Sequence, residues 1–134
     1  MKMVLNTDGG ARGNPGPGAL GVVLRDSSNE KIYEMGKYLG VCTNNEAEYL
    51  ALIEGMAAAH DKKAKTLVCK LDSELVVKQL KGQYKVKNER LKVLYARVKE
   101  LEKNFSSVGY EHIPRTKNHE ADSLVNKVLD AESR

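Results

Sequence analysis

The sequence predicts an α/β fold: a five-stranded mixed sheet, with three antiparallel strands first and helices on both faces. Residues 1–40 hold short apolar runs with brief connections, which is typical of an antiparallel meander. From Asn44 the apolar residues recur at helical spacing. The apolar run at residues 66–71 then lies between helical segments, as a parallel crossover requires. A chain of 134 residues has the length of one domain, which we place at residues 1–134.

The predicted elements follow the order βββαβααβα. Strands are predicted at residues 4–7, 19–25, 31–39, 66–71 and 107–113. Helices are predicted at residues 44–60, 72–80, 91–101 and 121–129. Thr43 or Asn44 is the expected N-cap of the first helix. Residues 8–18 contain five glycines and two prolines, and this composition predicts a loop.

Composition excludes several classes of protein. Charged residues make up 30% of the chain and hydrophobic residues 41%, which indicates a folded globular protein. No apolar run approaches the ~18 residues of a membrane span, and the first residues lack the apolar region of a signal peptide. We interpret Cys42 and Cys69 as buried thiols and expect a cytoplasmic location. With six tyrosines, one phenylalanine and no tryptophan, a protein that holds bases mainly by stacking is not expected.

The positive charge of the chain is concentrated in one segment. Residues 78–103 carry nine basic and three acidic side chains, a net charge of +6, whereas the whole chain has a net charge of +4. A basic segment on a slightly acidic body indicates a polyanionic partner. A solvated helix face would give the same charge pattern, so both interpretations remain open here.

Four carboxylates stand out by their positions. Asp8 and Asp72 each follow an apolar strand, and strand ends in α/β sheets are where sites collect. If those two strands are neighbours, the carboxylates lie side by side, and a hard divalent cation is the usual way to hold them together. Glu48 and Asp122 are the candidate third and fourth members. Each also has a structural interpretation: a turn for Asp8, an N-cap for Asp72, a solvated helix face for Glu48 and a helix-dipole partner for Asp122.

Four segments of the chain resemble, in order, the motifs of type 1 ribonuclease H. They are TDGGARGNPGPGA at residues 7–19, TNNEAE at 43–48, LDSELV at 71–76 and NHEADSL at 118–124. The resemblance spans essentially the whole chain and includes the predicted order of elements. It implies a ribonuclease H-like fold and an endonuclease that hydrolyses the RNA strand of an RNA/DNA hybrid. The implied products carry 5′-phosphate and 3′-hydroxyl ends.

The same resemblance implies a set of metal ligands: Asp8, Glu48, Asp72 and Asp122. They would hold two Mg²⁺ ions, or Mn²⁺ as a substitute, about 4 Å apart across the scissile phosphate. The family pattern selects Glu48 over Glu46, which lies two residues away on a helix and so points to another side.

The resemblance also implies contacts with nucleic acid. Asn14, Thr43, Asn44 and Asn45 match positions that touch the backbone and the minor groove, and their short polar side chains suit phosphate and 2′-hydroxyl groups. Gly9 and Gly10 would let the main chain approach the RNA strand closely. The implied partner is an RNA/DNA hybrid bound by a monomer, and double-stranded RNA is a second candidate substrate.

The chain departs from the family pattern in the loop before Asp122. Many members have a histidine there, whereas this chain has Arg115, and His112 and His119 lie on either side. The sequence around Arg115 resembles an archaeal-like subgroup in which arginine takes this position. An arginine stays protonated at neutral pH and cannot relay protons. We therefore expect Arg115 to hold the cleaved phosphate, with His112 and His119 as alternatives.

The second departure is the absence of room for a basic handle helix between the two middle helices. We expect Lys81, Lys85 and Lys87 to bind the DNA strand in its place, together with Lys78. Two other functions remain open at this point. One is a junction resolvase or integrase-like enzyme on the same fold, and the other is a hybrid-binding module without catalytic activity.

Overall fold

The computed structural model describes residues 1–133. Its strands are β1 (Lys2–Ala11), β2 (Gly16–Arg25), β3 (Lys31–Cys42), β4 (Thr66–Leu71) and β5 (Ser107–His112). Its helices are α1 (Asn44–Asp61), α2 (Glu74–Leu80), α3 (Glu89–Glu102) and α4 (His119–Glu132). A single 3₁₀ turn, Arg115–Lys117, joins β5 to α4. The predicted order of elements is confirmed.

The five strands form one mixed sheet in the order β3-β2-β1-β4-β5. Strand β1 is antiparallel to β2 and parallel to β4, and β4 is parallel to β5. In this register Asp8 lies opposite Gly21 on β2, and Asn6 lies opposite Lys70 on β4. Strands β1 and β4 are therefore neighbours and run toward the same edge of the sheet. Asp72 follows β4 as expected, whereas Asp8 lies within β1, which continues to Ala11.

The sheet is covered on both faces. On one face Leu5 and Leu67 are fully buried against Leu52 and Met56 of α1, and burial of each such side chain stabilises the fold by roughly 1.5–3 kcal/mol. On the other face α4 packs Val125 and Leu129 against Ala19. No helix among residues 1–133 is long and apolar enough to cross a lipid bilayer.

The prediction of a loop over residues 8–18 is wrong. Strand β1 continues to Ala11 and β2 begins at Gly16, so only residues 12–15 form the hairpin tip. Two of the glycines in the strands are required by close packing. A Cβ at Gly9 would lie 2.2 Å from the Ala47 carbonyl carbon, and one at Gly18 would lie 2.3 Å from Cys42 Sγ. A high glycine content therefore marks tight contacts here, and sequence alone does not separate these from a loop.

Hydroxyl and amide side chains define the helix starts. Thr43 Oγ1 accepts a hydrogen bond from the Glu46 N–H at 3.1 Å, and Glu46 Oε1 accepts one from the Thr43 N–H at 2.9 Å. This reciprocal capping box confirms Thr43 as the N-cap of α1. Ser73 caps α2 through its hydroxyl. The interpretation of Asp72 as that N-cap is therefore wrong, and its carboxylate is left for another role.

Two glycines let α4 approach the sheet closely. A Cβ at Gly21 would lie 2.3 Å from the Ala121 carbonyl oxygen, and one at Gly36 would lie 2.9 Å from a methyl group of Val128. Gly21 is the residue opposite Asp8. The first turn of α4, which carries Asp122, is therefore brought directly over Asp8.

We predict that Gly21→Ala destabilises the protein, because the added methyl group pushes the backbone of α4 away from the sheet. The expected loss is about 1–3 kcal/mol in the free energy of unfolding, measured by urea denaturation. Gly109→Ala is the matched control, since a Cβ there has no atom within 4 Å. Equal effects of the two substitutions would contradict the proposed close contact at Gly21.

Candidate active site

Three carboxylates converge at the edge of the sheet where β1 and β4 end. Asp8 lies on β1, Asp72 directly follows β4, and Glu48 lies in the second turn of α1. One oxygen from each lies within 4.8 Å of the others. Asp8 and Glu48 are each only 7% exposed. The interpretations of Asp8 as a turn residue and of Glu48 as a solvated helix residue are therefore wrong.

Close packing between β1 and α1 positions Glu48. The Gly9 N–H donates a hydrogen bond to Glu48 Oε1, and this contact depends on the absence of a side chain at Gly9. Glu46 faces elsewhere, since it closes the capping box and pairs with Arg90. The choice of Glu48 over Glu46 agrees with this geometry.

Asp122 borders the cluster from the first turn of α4. Its Oδ1 accepts a hydrogen bond from Arg115 Nη2 at 3.2 Å, and its Oδ2 accepts one from Asn126 Nδ2 at 3.3 Å. Asp122 lines the same cleft as Asp8, Glu48 and Asp72. All four carboxylates singled out in the sequence are thus brought to one place.

The carboxylates line an open cleft of about 410 Å³, which Arg115 and Asn44 also line. Arg115 is exposed and reaches into this cleft from the 3₁₀ turn. His112 ends β5 and His119 begins α4, and neither lines the cleft. His119 instead lines a second cleft beside Lys70 and Lys117.

The crowding of carboxylates perturbs their ionisation. Burial raises the pKa of Asp8 to about 8, and the nearby charges of Asp72 and Asp122 act in the same direction. Burial also raises the pKa of Glu48 well above its usual value, assisted by the charges of Asp8 and Asp72 and opposed by the hydrogen bond from Gly9. A cluster of this kind retains protons unless a cation compensates the charge. An all-oxygen donor set fits a hard divalent cation.

This ionisation predicts how stability depends on pH in the absence of metal. Because the pKa of Asp8 is raised from 3.8 to about 8 in the folded protein, its contribution to stability is full below the lower value and is lost as pH rises through the upper one. In EDTA we expect the thermal midpoint of the wild type to fall as pH rises from about 5 to 8.5, and Asp8→Asn to show a flatter profile. Superimposable pH profiles of the wild type and Asp8→Asn would contradict the assignment of the raised pKa to Asp8.

The tip of the β1–β2 hairpin is joined to the start of α1 by two asparagines. Asn44 Oδ1 accepts a hydrogen bond from the Ala11 N–H at 2.8 Å, and Asn14 Oδ1 accepts one from the Asn44 N–H at 3.0 Å. These bonds orient the two Nδ2 groups, which have no hydrogen-bond partner within residues 1–133. Thr43 and Asn45 lie beside them at the start of α1, both half-buried.

The connection between α2 and α3, which carries the predicted lysines, ends close to the start of α1. Residues 81–88 join α2 to α3 without a handle helix, and Lys81, Lys85 and Lys87 are exposed. Just after this connection, Arg90 of α3 pairs with Glu46, which places the start of α3 beside the start of α1. The end of residues 81–88 that leads into α3 therefore lies near the asparagines at the start of α1.

Sequence reasoning missed the amides that hold the carboxylates. Asn118 is 2% exposed and donates hydrogen bonds to the Thr7 carbonyl oxygen at 2.9 Å and to Asp72 Oδ2 at 3.3 Å. Asn6 donates to Asn118 Oδ1 at 3.1 Å, and Asn126 donates to Asp122. In the sequence, these two amides could have been found from their spacing, since Asn118 lies four residues before Asp122 and Asn126 four residues after it. The polar composition around Asn118 predicts only a loop.

A mixed sheet in this strand order, with four carboxylates at the edge where β1 and β4 end, defines the ribonuclease H-like class of proteins. The model of the reverse transcriptase-like family matches residues 6–128. Among solved structures, RNase H1 from Halobacterium salinarum superposes with a TM-score of 0.95 at 38% identity, covering 98% of this chain and 99% of that one. LC11-RNase H1 in complex with an RNA/DNA hybrid gives a TM-score of 0.94 at 38% identity, with the same coverage.

Similar sequences agree with the structural matches. Ribonuclease HI of Halobacterium salinarum is 41% identical over 123 residues, which is 92% of this chain and 62% of that protein. Bifunctional protein Rv2228c of Mycobacterium tuberculosis is 40% identical over 132 residues, which is 98% of this chain but 36% of that protein. The chain thus spans about a third of the mycobacterial relative. It belongs to the type 1 ribonuclease H family.

Proposed function

We propose that the protein is an endonuclease that hydrolyses the RNA strand of RNA/DNA hybrids and leaves 5′-phosphate and 3′-hydroxyl ends. The observation that carries this proposal is the carboxylate cluster of Asp8, Glu48 and Asp72, in a chain of this family. LC11-RNase H1, which resembles this chain over its full length, was solved in complex with an RNA/DNA hybrid. We propose the same substrate class here.

The four carboxylates provide the metal ligands in this proposal. Asp8, Glu48 and Asp72 would bind divalent cations directly and Asp122 would complete the set, with Mg²⁺ as the expected metal and Mn²⁺ as a substitute. Such ions, when bound, activate a water molecule for attack on the phosphate and stabilise the leaving oxygen. Burial of Asp8 and Glu48 keeps both carboxylates in fixed positions, so that little rearrangement is needed on binding.

Arg115 serves the departing phosphate in this proposal. Its guanidinium lies at the mouth of the cleft and is 76% exposed, so it can leave Asp122 for a phosphate oxygen. A guanidinium binds phosphate through two parallel hydrogen bonds and adds a positive charge. His112 and His119 do not line this cleft, which favours Arg115.

The surface beside the cleft supports hybrid binding by shape and backbone. The Nδ2 groups of Asn14 and Asn44 are oriented donors without charge, which suit phosphate and 2′-hydroxyl oxygens. We propose that Thr43 and Asn45 also bind the RNA/DNA hybrid, and that Gly10 lets the protein backbone approach the RNA strand. Gly9 also allows the close approach of α1, since a Cβ there would lie 2.2 Å from the Ala47 carbonyl carbon, and we propose that it lets the backbone approach the RNA as well.

A cleavage panel tests the proposal against the two alternatives. RNA/DNA hybrid, duplex DNA, duplex RNA and a four-way junction are incubated separately with the protein and Mg²⁺. We expect the hybrid to be cleaved fastest, within its RNA strand, and duplex DNA and the junction to stay intact. Preferred cleavage of the junction would favour a resolvase-like enzyme, and binding of the hybrid without cleavage would favour a silent binding module.

The lysines of residues 81–88 are expected to bind phosphates of the DNA strand. Replacing Lys81, Lys85 and Lys87 together with glutamine should weaken hybrid binding and leave turnover at saturating substrate nearly unchanged. For every phosphate that the variant no longer binds, the slope of log affinity against log salt should fall in magnitude by roughly 0.7 to 0.9. Binding is measured by fluorescence anisotropy across a salt series, on a labelled hybrid without divalent cations.

The matched control replaces Lys62, Lys63 and Lys65 with glutamine. These lysines precede β4, at the opposite end of that strand from Asp72, and their removal changes the net charge by the same amount. We expect the control variant to keep the wild-type salt slope apart from a small change in affinity. Equal slopes for the two triple variants would show that residues 81–88 are an ordinary solvated surface.

Three further expectations from the sequence remain predictions. They are a cytoplasmic location, a monomeric state and some activity on double-stranded RNA. Cys42 and Cys69 are both buried and unpaired.

A further inference from the structure

We propose that Asn118 is a positioning residue that holds Asp72 in place for metal binding and, through its backbone, sets the start of the helix that carries Asp122. The proposal deepens the function proposed above and rests on it. No residue of the predicted metal set performs this role. Asn118 contacts the carboxylate of Asp72 and the backbone N–H of Asp122.

The side chain of Asn118 is committed to the site rather than to its own helix. Asn118 occupies the N-cap position of α4, yet its side chain makes no capping hydrogen bond there. An asparagine at this position normally caps the helix and stabilises it by about 1 kcal/mol. Its side chain donates instead to the Thr7 carbonyl oxygen and to Asp72 Oδ2. An asparagine that does not cap its own helix is expected to serve contacts elsewhere in the structure.

The orientation of the Asn118 amide follows from its partners. The Thr7 carbonyl oxygen and the Asp72 carboxylate accept hydrogen bonds, so the group that faces both must be the Nδ2 amide. Its Oδ1 in turn accepts from Asn6 Nδ2 at 3.1 Å. Because Asn118 is only 2% exposed and both ends of its amide are hydrogen-bonded, the side chain has a single arrangement.

The position of Asn118 also explains its choice of partners. The ladder between β1 and β4 ends with the pair Asn6 and Lys70, so the Thr7 carbonyl lies beyond the last strand pair. The Asn118 carbonyl oxygen accepts from the Asp122 N–H at 3.1 Å, in the first turn of α4. One residue thus joins the end of β1, Asp72 and the start of α4.

An amide suits this role because it donates hydrogen bonds without adding charge. A lysine or arginine at the same place would orient Asp72 but would also neutralise the cluster that must attract cations. Removal of a group that orients a metal ligand typically costs about 10- to 100-fold in metal affinity or activity. We expect losses in that range for Asn118 variants.

The test measures Mn²⁺ binding to the free protein by calorimetry, together with kcat and KM on the hybrid. Asn118→Ala removes the amide, and Asn118→Leu removes it while keeping a similar volume. Both variants are expected to bind Mn²⁺ about 10-fold more weakly and to lose at least about 10-fold in kcat, with KM within about threefold. Asn6→Ala is the control, since it removes a partner of Asn118 but leaves the bond to Asp72, and we expect values within about twofold of the wild type.

Several outcomes would overturn the proposal. Wild-type Mn²⁺ affinity in Asn118→Leu would show that the residue only fills space, and equal losses in Asn6→Ala would show a general effect on packing. If neither variant folds by circular dichroism, Asn118→Ser is measured instead. Its hydroxyl donates one hydrogen bond where the amide donates two, so we expect weaker Mn²⁺ binding than in the wild type, and wild-type affinity would overturn the proposal. Because Mn²⁺ affinity is measured without substrate, it tests Asn118 even if the wild type proves not to cleave hybrids.

Discussion

Asp8→Asn is expected to abolish cleavage of the RNA strand while leaving the protein folded. Asp8 lies in one cluster with Glu48 and Asp72 and lines the same cleft as Asp122. A neutral amide is a poor ligand for a hard cation, so metal binding and turnover are lost together. The substitution also removes one of several like charges, so the thermal midpoint in EDTA should hold or rise. Turnover is measured on a labelled hybrid at saturating Mg²⁺.

Asp61→Asn is the control for this substitution. Asp61 is an exposed residue at the end of α1, far along the helix from Glu48. Asp61→Asn changes the formal charge by the same amount as Asp8→Asn, and we expect it to keep wild-type turnover. Near-normal activity of purified Asp8→Asn at saturating Mg²⁺ would contradict the assignment of this cluster as the catalytic centre.

The second large effect concerns Arg115. If its guanidinium binds the departing phosphate, Arg115→Ala should lower kcat by about 10- to 100-fold and change KM by no more than a few-fold. Arg115→Lys should recover only part of the activity, because an ammonium group does not reproduce the planar fork. The measurement is kcat against pH at saturating hybrid, for each variant.

Lys117→Ala is the matched control for Arg115, since Lys117 lies in the same 3₁₀ turn but lines the neighbouring cleft. His112→Ala and His119→Ala test the alternative groups. A histidine that transferred a proton would give the wild-type kcat a pH dependence that its removal deletes. A loss of turnover confined to one histidine variant, with Arg115→Ala unaffected, would overturn the role of Arg115.

The fold was predictable where periodicity and strand order carry the information. The apolar run at residues 66–71 matches β4 residue for residue, and the change to helical spacing at Asn44 matches the start of α1. The glycine-rich stretch was predicted wrongly, because two of its glycines are required by atoms distant in sequence. Gly9 meets Ala47 and Gly18 meets Cys42, and local composition contains no trace of those partners.

The four carboxylates were predictable because strand ends and motif spacing mark them directly. The groups that hold these carboxylates in place were not predictable from the sequence. Asn118 contacts Thr7 and Asp72, residues far from it in the chain, and an asparagine before a helix is typical of a simple cap. The buried state of Glu48 likewise depends on the close contact at Gly9. Such relations arise only when the strands and helices are assembled.

The most direct test of the account is the cleavage of one RNA/DNA hybrid, labelled on its RNA strand, with Mg²⁺ and with EDTA. We predict internal cuts in the RNA strand with Mg²⁺, fragments that carry 5′-phosphate and 3′-hydroxyl ends, and no cleavage in EDTA. Cleavage that persists in EDTA would contradict catalysis through the carboxylate cluster. An intact RNA strand at saturating Mg²⁺ would contradict the proposed function itself.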